Sequence, residues 1–223
     1  MVIPIASVGG EQGITIDESV RMQPGSEVLA GTLGSQFDQL GIIIIIVAVM
    51  GIVQSEKANG MLAFILTRRV PVLSYIFSKI ITNFFFVTCS ALLGYMASYL
   101  YTCFLFTDIP GKQVIAASIF YIFWLFFIVS FTTMISTIFN SQGVIALISI
   151  VFLLISRMIV GFYPSLDYLN PASMGQHAIE MLVSGNFHSE IIWSMLTTIL
   201  FSALAISISI IWISHKKCTV DKR

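Results

Sequence analysis

The stretch that decides the fold is Gln54–Lys79, which has the sequence QSEKANGMLAFILTRRVPVLSYIFSK. It separates two apolar runs, Leu40–Val53 and Ile80–Phe106. The basic residues of this stretch are Lys57, Arg68, Arg69 and Lys79. Short loops rich in Lys and Arg remain on the cytoplasmic side of a membrane. We therefore expect this loop to face the cytoplasm, between two membrane spans.

The composition predicts an all-α integral membrane protein. Of the 223 residues, 57% are hydrophobic and only 10% are charged, whereas a soluble domain carries about 25% charged residues. The apolar runs approach the roughly 20 residues that a helix needs to cross a bilayer. The formal net charge is zero, and we expect membrane lipid rather than nucleic acid around this chain.

About five transmembrane helices are predicted, with one polar segment before them and one basic tail after them. The spans are placed at about 37–53, 80–106, 114–139, 144–162 and 191–214 within a membrane domain over 37–217. The second helix is expected to begin near Pro71, because proline is favoured in the first turn. Residues 1–36 are polar and Gly-rich, and we expect them to form a loosely structured extracytoplasmic segment.

The orientation follows from the basic residues. The loop over 54–79 carries four of them and the C-terminal region carries Lys216, Lys217, Lys222 and Arg223. The positive-inside rule places both regions in the cytoplasm, and five spans then place the N-terminus outside. Lys79, Lys216 and Lys217 are expected at the membrane interface. Residues 218–223 form the cytoplasmic tail, and residues 163–190 form an outer loop with a short helix over Ala172–Val183.

The sequence contains no pattern that predicts catalysis or metal binding, so we expect no enzyme activity in this chain. It has no G-x-x-x-x-G-K-[ST], no H-E-x-x-H and no G-x-S-x-G pattern. His177 and Glu180 would lie one helical turn apart, but a metal needs more ligands than two. The cysteines Cys89, Cys103 and Cys218 lack metal-ligand or redox spacing.

Arg157 is the basic residue that lies well inside a predicted span. A charge within the membrane is costly and is a functional hypothesis by default. The alternatives are that Arg157 snorkels to the outer headgroups or pairs with Asp167. The turn Tyr168-Leu169-Asn170-Pro171 and the helix after it could form a gate or anchor the fold at the interface. Arg157, Asn170 and Pro171 are therefore candidate pathway or gate residues.

The order of these features resembles the permease subunits of ABC-2 type ATP-binding-cassette exporters. The resemblance rests on a span that ends at Gln54-Ser55-Glu56, an amphipathic segment over Gly60–Leu66, and a helix start at Pro71-Val72 with Lys79 following. The turns Asn140-Ser141-Gln142 and Tyr168–Pro171 are also similar. Together these features cover about Phe37–Lys217.

The resemblance implies a membrane pathway that couples to a separate cytoplasmic ATPase. That partner would bind ATP and Mg, whereas this chain would hold no cofactor. A second permease subunit, identical or different, would complete the pathway in a bacterial cytoplasmic membrane. The ATPase-coupling residues implied by the resemblance are Glu56, Gly60, Met61, Leu62, Phe64, Ile65, Leu66, Arg68 and Arg69.

The family usually has six spans with the N-terminus inside, so this chain departs from it by lacking the first span. Met1–Ile5 could be the outer end of that span. The rival hypotheses are an accessory or immunity-type membrane protein that binds a partner without transport, and an intramembrane enzyme. The substrate is left open among drugs, peptides, lipids and ions, and the pairing of permeases is left open between homodimer and heterodimer.

Overall fold

A computed structural model describes residues 24–60, 71–106, 109–161, 167–185 and 190–220, with side chains of the last range described for 191–215. All regular structure in these ranges is helical, and five of the helices are long and apolar enough to cross a membrane. The predicted all-α membrane fold is thereby confirmed. The helices are α1 Gly25–Ala58, α2 Val72–Leu105, α3 Gly111–Ile138, α4 Gln142–Ile159, α5 Ser173–Ser184 and α6 Glu190–Val220.

Helix α3 lies at the centre of the bundle. It packs most extensively against α6 and α5 and also contacts α1, α2 and α4. Its sequence is apolar or hydroxyl-bearing on every side, which is the pattern of a fully buried helix. A continuous stack of rings runs from Trp124 through Phe127 and Phe131 of α3 to Phe152 of α4. Successive ring centroids are 5.7, 5.9 and 4.4 Å apart.

Helix α2 is a continuous helix of 34 residues that begins directly after Pro71, as predicted. Proline fixes φ near −65° and lacks an N–H, so it precedes the first turn without loss of a hydrogen bond. Much of the outer face of α2 is apolar and exposed, including Phe85, Leu93 and Phe104. Such a face suits contact with lipid, since all backbone groups are satisfied within the helix.

Helix α1 begins at Gly25, twelve residues before the predicted start of span one at Phe37. The expectation of a loosely structured segment is therefore wrong for residues 25–36. Leu29, Ala30 and Leu33 recur at helical spacing and are buried because this part of α1 packs against α2 and α5. The glycines and polar residues around them obscure that period in the sequence.

The remaining boundaries lie close to the predicted ones, with small extensions. Helix α6 continues to Val220, so it includes Lys216 and Lys217 rather than ending at residue 214. Helix α5 lies within one residue of the predicted short helix. It ends at Gly185, which adopts the left-handed conformation (φ 66°) that favours glycine at a helix C-terminus.

The bundle has two ends, which we name by their loops. The basic end carries the end of α1, the start of α2 and the turn between α3 and α4. The opposite end carries the end of α4, the turn at Asp167–Ala172, and α5. The predicted coupling residues Met61, Leu62, Phe64, Ile65, Leu66, Arg68 and Arg69 lie outside the described residues.

Candidate functional site

At the basic end, the backbone of α1 is interrupted after Val49, and Ser136 of α3 compensates for the interruption. A turn over residues 50–53 precedes the short helix Gln54–Ala58. The Ser136 hydroxyl donates to the Met50 carbonyl (2.9 Å) and accepts from the amides of Val53 (3.3 Å) and Gln54 (3.1 Å). One hydroxyl therefore satisfies three backbone groups that an unbroken helix would satisfy internally.

Lys57 connects the same short helix to the C-terminus of α3. Its Nζ donates to the carbonyls of Thr137 (2.7 Å) and Phe139 (2.8 Å) and to Oδ1 of Asn140 (3.3 Å). The last carbonyls of a helix lack intrahelical partners and carry partial negative charge, so a cation there is favourable. The side-chain amide of Gln54 also donates a hydrogen bond, from Nε2 to the Asn140 carbonyl, at 2.8 Å.

Glu56 joins the short helix to the first turns of α2. Its carboxylate accepts a hydrogen bond from the Tyr75 hydroxyl (2.5 Å) and forms an ion pair with Lys79. The Lys79 ammonium also lies 5.9 Å from the centre of the Tyr75 ring. Glu56 and Lys79, predicted as an ATPase contact and a membrane-interface residue, are thus partners of each other. Gly60, another predicted coupling residue, ends the described part of the loop with φ 69°.

At the opposite end, Arg157 lies in the C-terminal part of α4 and pairs with Asp38 of α1. The guanidinium Nη2 is 2.6 Å from Asp38 Oδ2. The distance is that of an ion pair, but the contact does not have the geometry of a hydrogen bond. The other carboxylate oxygen accepts a hydrogen bond from Trp124 Nε1 at 3.0 Å. Asp38 is 1% exposed, so its charge is stabilised by these two partners rather than by solvent.

The alternative in which Arg157 pairs with Asp167 is not what the structure shows. The Asp167 carboxylate instead accepts from the Gly161 amide at 3.0 and 3.2 Å. The partner of Arg157 is Asp38, a buried carboxylate of opposite charge. The Arg157 side chain is largely buried, at 19% exposure, so the snorkelling alternative is not what the structure shows.

A π-helix brings Asp38 into the interior. Residues Leu33–Gly41 form i→i+5 rather than i→i+4 turns. One line of buried positions in α1 runs Leu29, Leu33, Asp38, Ile42 and Ile46, so its step across the π-helix is five residues and its neighbouring steps are four. In a regular α-helix the inward position after Leu33 would be residue 36 or 37. Short π-helical segments are frequently found at functional sites.

The predicted gate residues Asn170 and Pro171 lie beside Arg157. The Asn170 amide donates to the Ser156 carbonyl of α4 at 2.6 Å, and its Oδ1 accepts from the Ala172 amide at 3.0 Å. Arg157 Nη1 donates to the Ala172 carbonyl at 3.4 Å. The turn is therefore bound to two successive residues of α4 before it leads into α5.

Gly175 allows α5 to approach the ion pair closely. A β-carbon at this position would lie 3.2 Å from Asp38 Oδ1 and 3.3 Å from Arg157 Nη1. On the next turn of α5, a β-carbon at Gly34 of α1 would lie 3.0 Å from Ile179 Cδ1. Both glycines therefore permit close contact between helices, as small residues do in membrane proteins.

His177 and Glu180 form an outlying polar pair on α5. His177 Nδ1 is 3.4 Å from Glu180, and Nε2 is 3.3 Å from the hydroxyl of Ser194 on α6. Within the described ranges there is no group of three His, Cys, Asp or Glu that could hold a metal. Through the contact between His177 and Ser194, this pair connects α5 with α6.

Several residues of these sites were missed by the sequence interpretation. Asp38 carried a usable signal, because it is an acid inside a predicted span and such residues usually have a partner. Trp124 is one of many aromatic residues in span three, so the sequence does not single it out. Nothing in the local sequence distinguishes Ser136 or Tyr75, since their partners are 19 to 86 residues away.

Comparison with known proteins gives one informative relative. The chain is 33% identical over 196 residues to the uncharacterized transmembrane protein YxlG of Bacillus subtilis (strain 168). The alignment covers 88% of this chain and 76% of that protein. No family model matches the chain, and no solved structure is a significant match.

Proposed function

We propose that this chain, which belongs to the family of the transmembrane protein YxlG, is the permease subunit of an ABC-2 type exporter. It forms part of the membrane pathway in a bacterial cytoplasmic membrane, with its N-terminus outside and the basic end inside. A separate cytoplasmic ATPase binds ATP and Mg and hydrolyses ATP. A second permease subunit completes the pathway.

The observation that supports this proposal is the set of contacts at the basic end. The segments on both sides of residues 61–70 are tied to each other and to the central helix. Glu56 binds Tyr75 and Lys79 of α2, whereas Lys57 binds the C-terminus of α3. A loop that only connected two spans would not need charge-assisted hydrogen bonds to a third helix.

These contacts offer a route for a conformational change. A partner that displaced the loop would move the start of α2 and the short helix Gln54–Ala58 together, because Glu56 joins them. Lys57 and Ser136 would pass the displacement to α3, which contacts every other helix. Coupling of this kind needs an element that responds to the partner as a unit, and the basic end has that construction.

The test is recovery of a cytoplasmic ATPase with the tagged chain. The partner to co-express is an ATPase with a Walker A motif encoded beside this gene. In the proposed helix-in-groove contact, apolar side chains of the loop seat in the partner. Phe64→Asp combined with Leu66→Asp should reduce recovery by about tenfold or more, because two carboxylates would replace the apolar side chains of the contact. A tenfold loss corresponds to about 1.4 kcal/mol of binding free energy.

The matched control is Phe64→Leu combined with Leu66→Met, which keeps both positions apolar and should keep the complex. The amount of each variant in the membrane fraction shows whether insertion is intact. Equal recovery of the ATPase with the Asp variant and the parent would refute the coupling assignment. Binding without any effect of the chain on ATP hydrolysis would favour the accessory protein instead.

A further inference from the structure

The Asp38–Arg157 pair connects four separate parts of the chain at the opposite end. Asp38 belongs to α1, Arg157 to α4 and Trp124 to α3. Arg157 also binds the carbonyl of Ala172, the residue directly before α5. The close approach of Gly175 places α5 directly over the two charges. The ionic cluster therefore lies directly under the first turn of α5 and adds to the apolar packing of that helix.

An ion pair is an unusual choice for a purely structural contact in this position. Desolvating two charges is expensive, and well-packed apolar residues of similar volume usually stabilise a fold as well or better. The other contacts of α5 at this face are apolar, and Met174, Ala178 and Leu182 are fully buried. An ion pair has one defined geometry and can also be separated, so it suits a contact between α5 and the bundle that closes and opens.

Two described glycines with left-handed backbone lie in the chain before and after α5. Gly161 has φ 89° and follows α4, and Gly185 has φ 66° and follows α5. Hinges are usually a few loop or element-terminal positions that absorb changes in φ and ψ. Glycine is the residue that can enter or leave this region of φ at the lowest energetic cost.

We propose that Asp38, Trp124 and Arg157 form a latch that holds α5 closed against α1 and α3, and that release of α5 opens this end of the pathway. The first half of this proposal concerns the isolated chain. The second half rests on the proposed function, because it assigns the release to the transport cycle. The two halves are tested separately.

The closed state is measured through a cysteine introduced by Ala178→Cys, at a position that is fully buried in α5. The native cysteines Cys89, Cys103 and Cys218 are first replaced by serine. The purified chain in detergent is treated with a water-soluble maleimide, so both ends are equally accessible. The latch variants are Asp38→Asn, Arg157→Gln and the two together.

Each single variant should increase the labelling rate by at least about tenfold, because it leaves one buried charge without its partner. The double variant should increase the rate by less than the product of the two single effects, since it leaves no unpaired charge. Glu180→Gln is the matched control. It removes an acid from the same helix, and because the Glu180 side chain is 55% exposed, its loss should not affect labelling.

Unchanged labelling in both single variants, with monodisperse gel-filtration profiles, would overturn the latch. Should those variants fail to fold, Gly175→Ala provides a second test with both charges intact. Its methyl group would meet the pair at 3.2–3.3 Å and displace α5, so labelling should again increase. A protected cysteine in that variant as well would count against the latch.

The gate is tested with the parent cysteine variant in complex with its ATPase. Labelling should increase when ATP is turned over and should remain slow with the ATPase in a nucleotide-free state. Protection throughout turnover would refute the gate while leaving the latch standing. Loss of the ATPase complex itself would instead refute the proposed function, and it would not affect the result on the isolated chain.

Discussion

The hydroxyl of Ser136 illustrates how much one small residue contributes in this fold. It contacts the Met50 carbonyl and the Val53 and Gln54 amides, which lie in a turn at the basic end of the bundle. Val53 and Ser136 are fully buried, so a backbone group left unpaired there would lack a partner. The break in α1 is tolerated because this hydroxyl replaces the missing helical partners.

Ser136→Ala should therefore destabilise the chain by about 1–3 kcal/mol, the usual range for leaving a buried polar group without its partner. The measurement is thermal unfolding of the detergent-solubilised chain. Ser207→Ala is the control, because Ser207 is exposed and bonds only to the Ala203 carbonyl of its own helix. A destabilisation of equal size in both variants would contradict the bridging role.

At the level of single residues, the sequence predicted which position is unusual but not its partner. Arg157 stands out because it is a charge among apolar residues. Asp167, which is close in sequence, was one of the alternatives for its partner, whereas the observed partner Asp38 is separated from Arg157 by 119 positions. The choice between them depends on how α1 packs against α4, and that packing is a property of the assembled bundle.

At the level of elements, the π-helix of α1 determines which residues face the interior. It adds one residue to the step between Leu33 and Asp38 and thereby keeps both on the buried face. The sequence predicted the membrane helices well because length and hydropathy are local signals. The π-helix was missed because its cause is tertiary: the ion pair and Trp124 select the inward position of Asp38.

Deletion of Gln36 should be tolerated, because it shortens the step from Leu33 to the aspartate from five residues to four and returns this turn to α-helical spacing. Gln36 is exposed, so its side chain contributes little packing. Deletion of Ile44, also exposed, is the control. It falls in regular α-helix and rotates everything before it by about 100°.

We expect the Gln36 deletion to yield a monodisperse chain with a melting temperature near that of the parent, and the Ile44 deletion to yield aggregated or degraded protein. Gel filtration and a thermal unfolding curve provide both measurements. The reverse ranking of the two deletions would show that the π-helix has a role beyond the placement of Asp38.

At the level of the whole molecule, the two clusters lie at different positions along α3, one at its C-terminal end and the other near its middle. Lys57 and Ser136 hold the basic end to α3, and Trp124, midway along α3, binds Asp38 of the ion pair. The central helix therefore connects the proposed partner contact with the proposed latch. This connection is the physical basis for the expectation that one end affects the other.

Glu56→Gln should weaken the effect of the chain on its ATPase without removing the complex. The amide loses the ion pair with Lys79 and the charge that Tyr75 binds, whereas the apolar loop residues remain. We expect the change in ATP hydrolysis caused by the chain to fall by about threefold or more, with recovery of the ATPase unchanged. Glu180→Gln, at the opposite end, should leave both quantities at the parent level.

If Glu56→Gln abolished recovery of the ATPase, Glu56 would be part of the docking contact, as the family resemblance implies. If neither quantity changed, the pair with Lys79 would have no part in coupling. Membrane abundance of each variant separates these outcomes from a loss of folded protein.

The interruption at residues 50–53 also divides α1 mechanically. An unbroken ladder of hydrogen bonds transmits rotation and axial displacement along a helix, whereas a turn that keeps only some of those bonds, as residues 50–53 do, resists torsion less. The segment Gln54–Ala58 is also bound to α3 through Ser136 and Lys57. We therefore expect a torque applied at the basic end to pass along α2 and α3, while the 25–49 part of α1 stays in place.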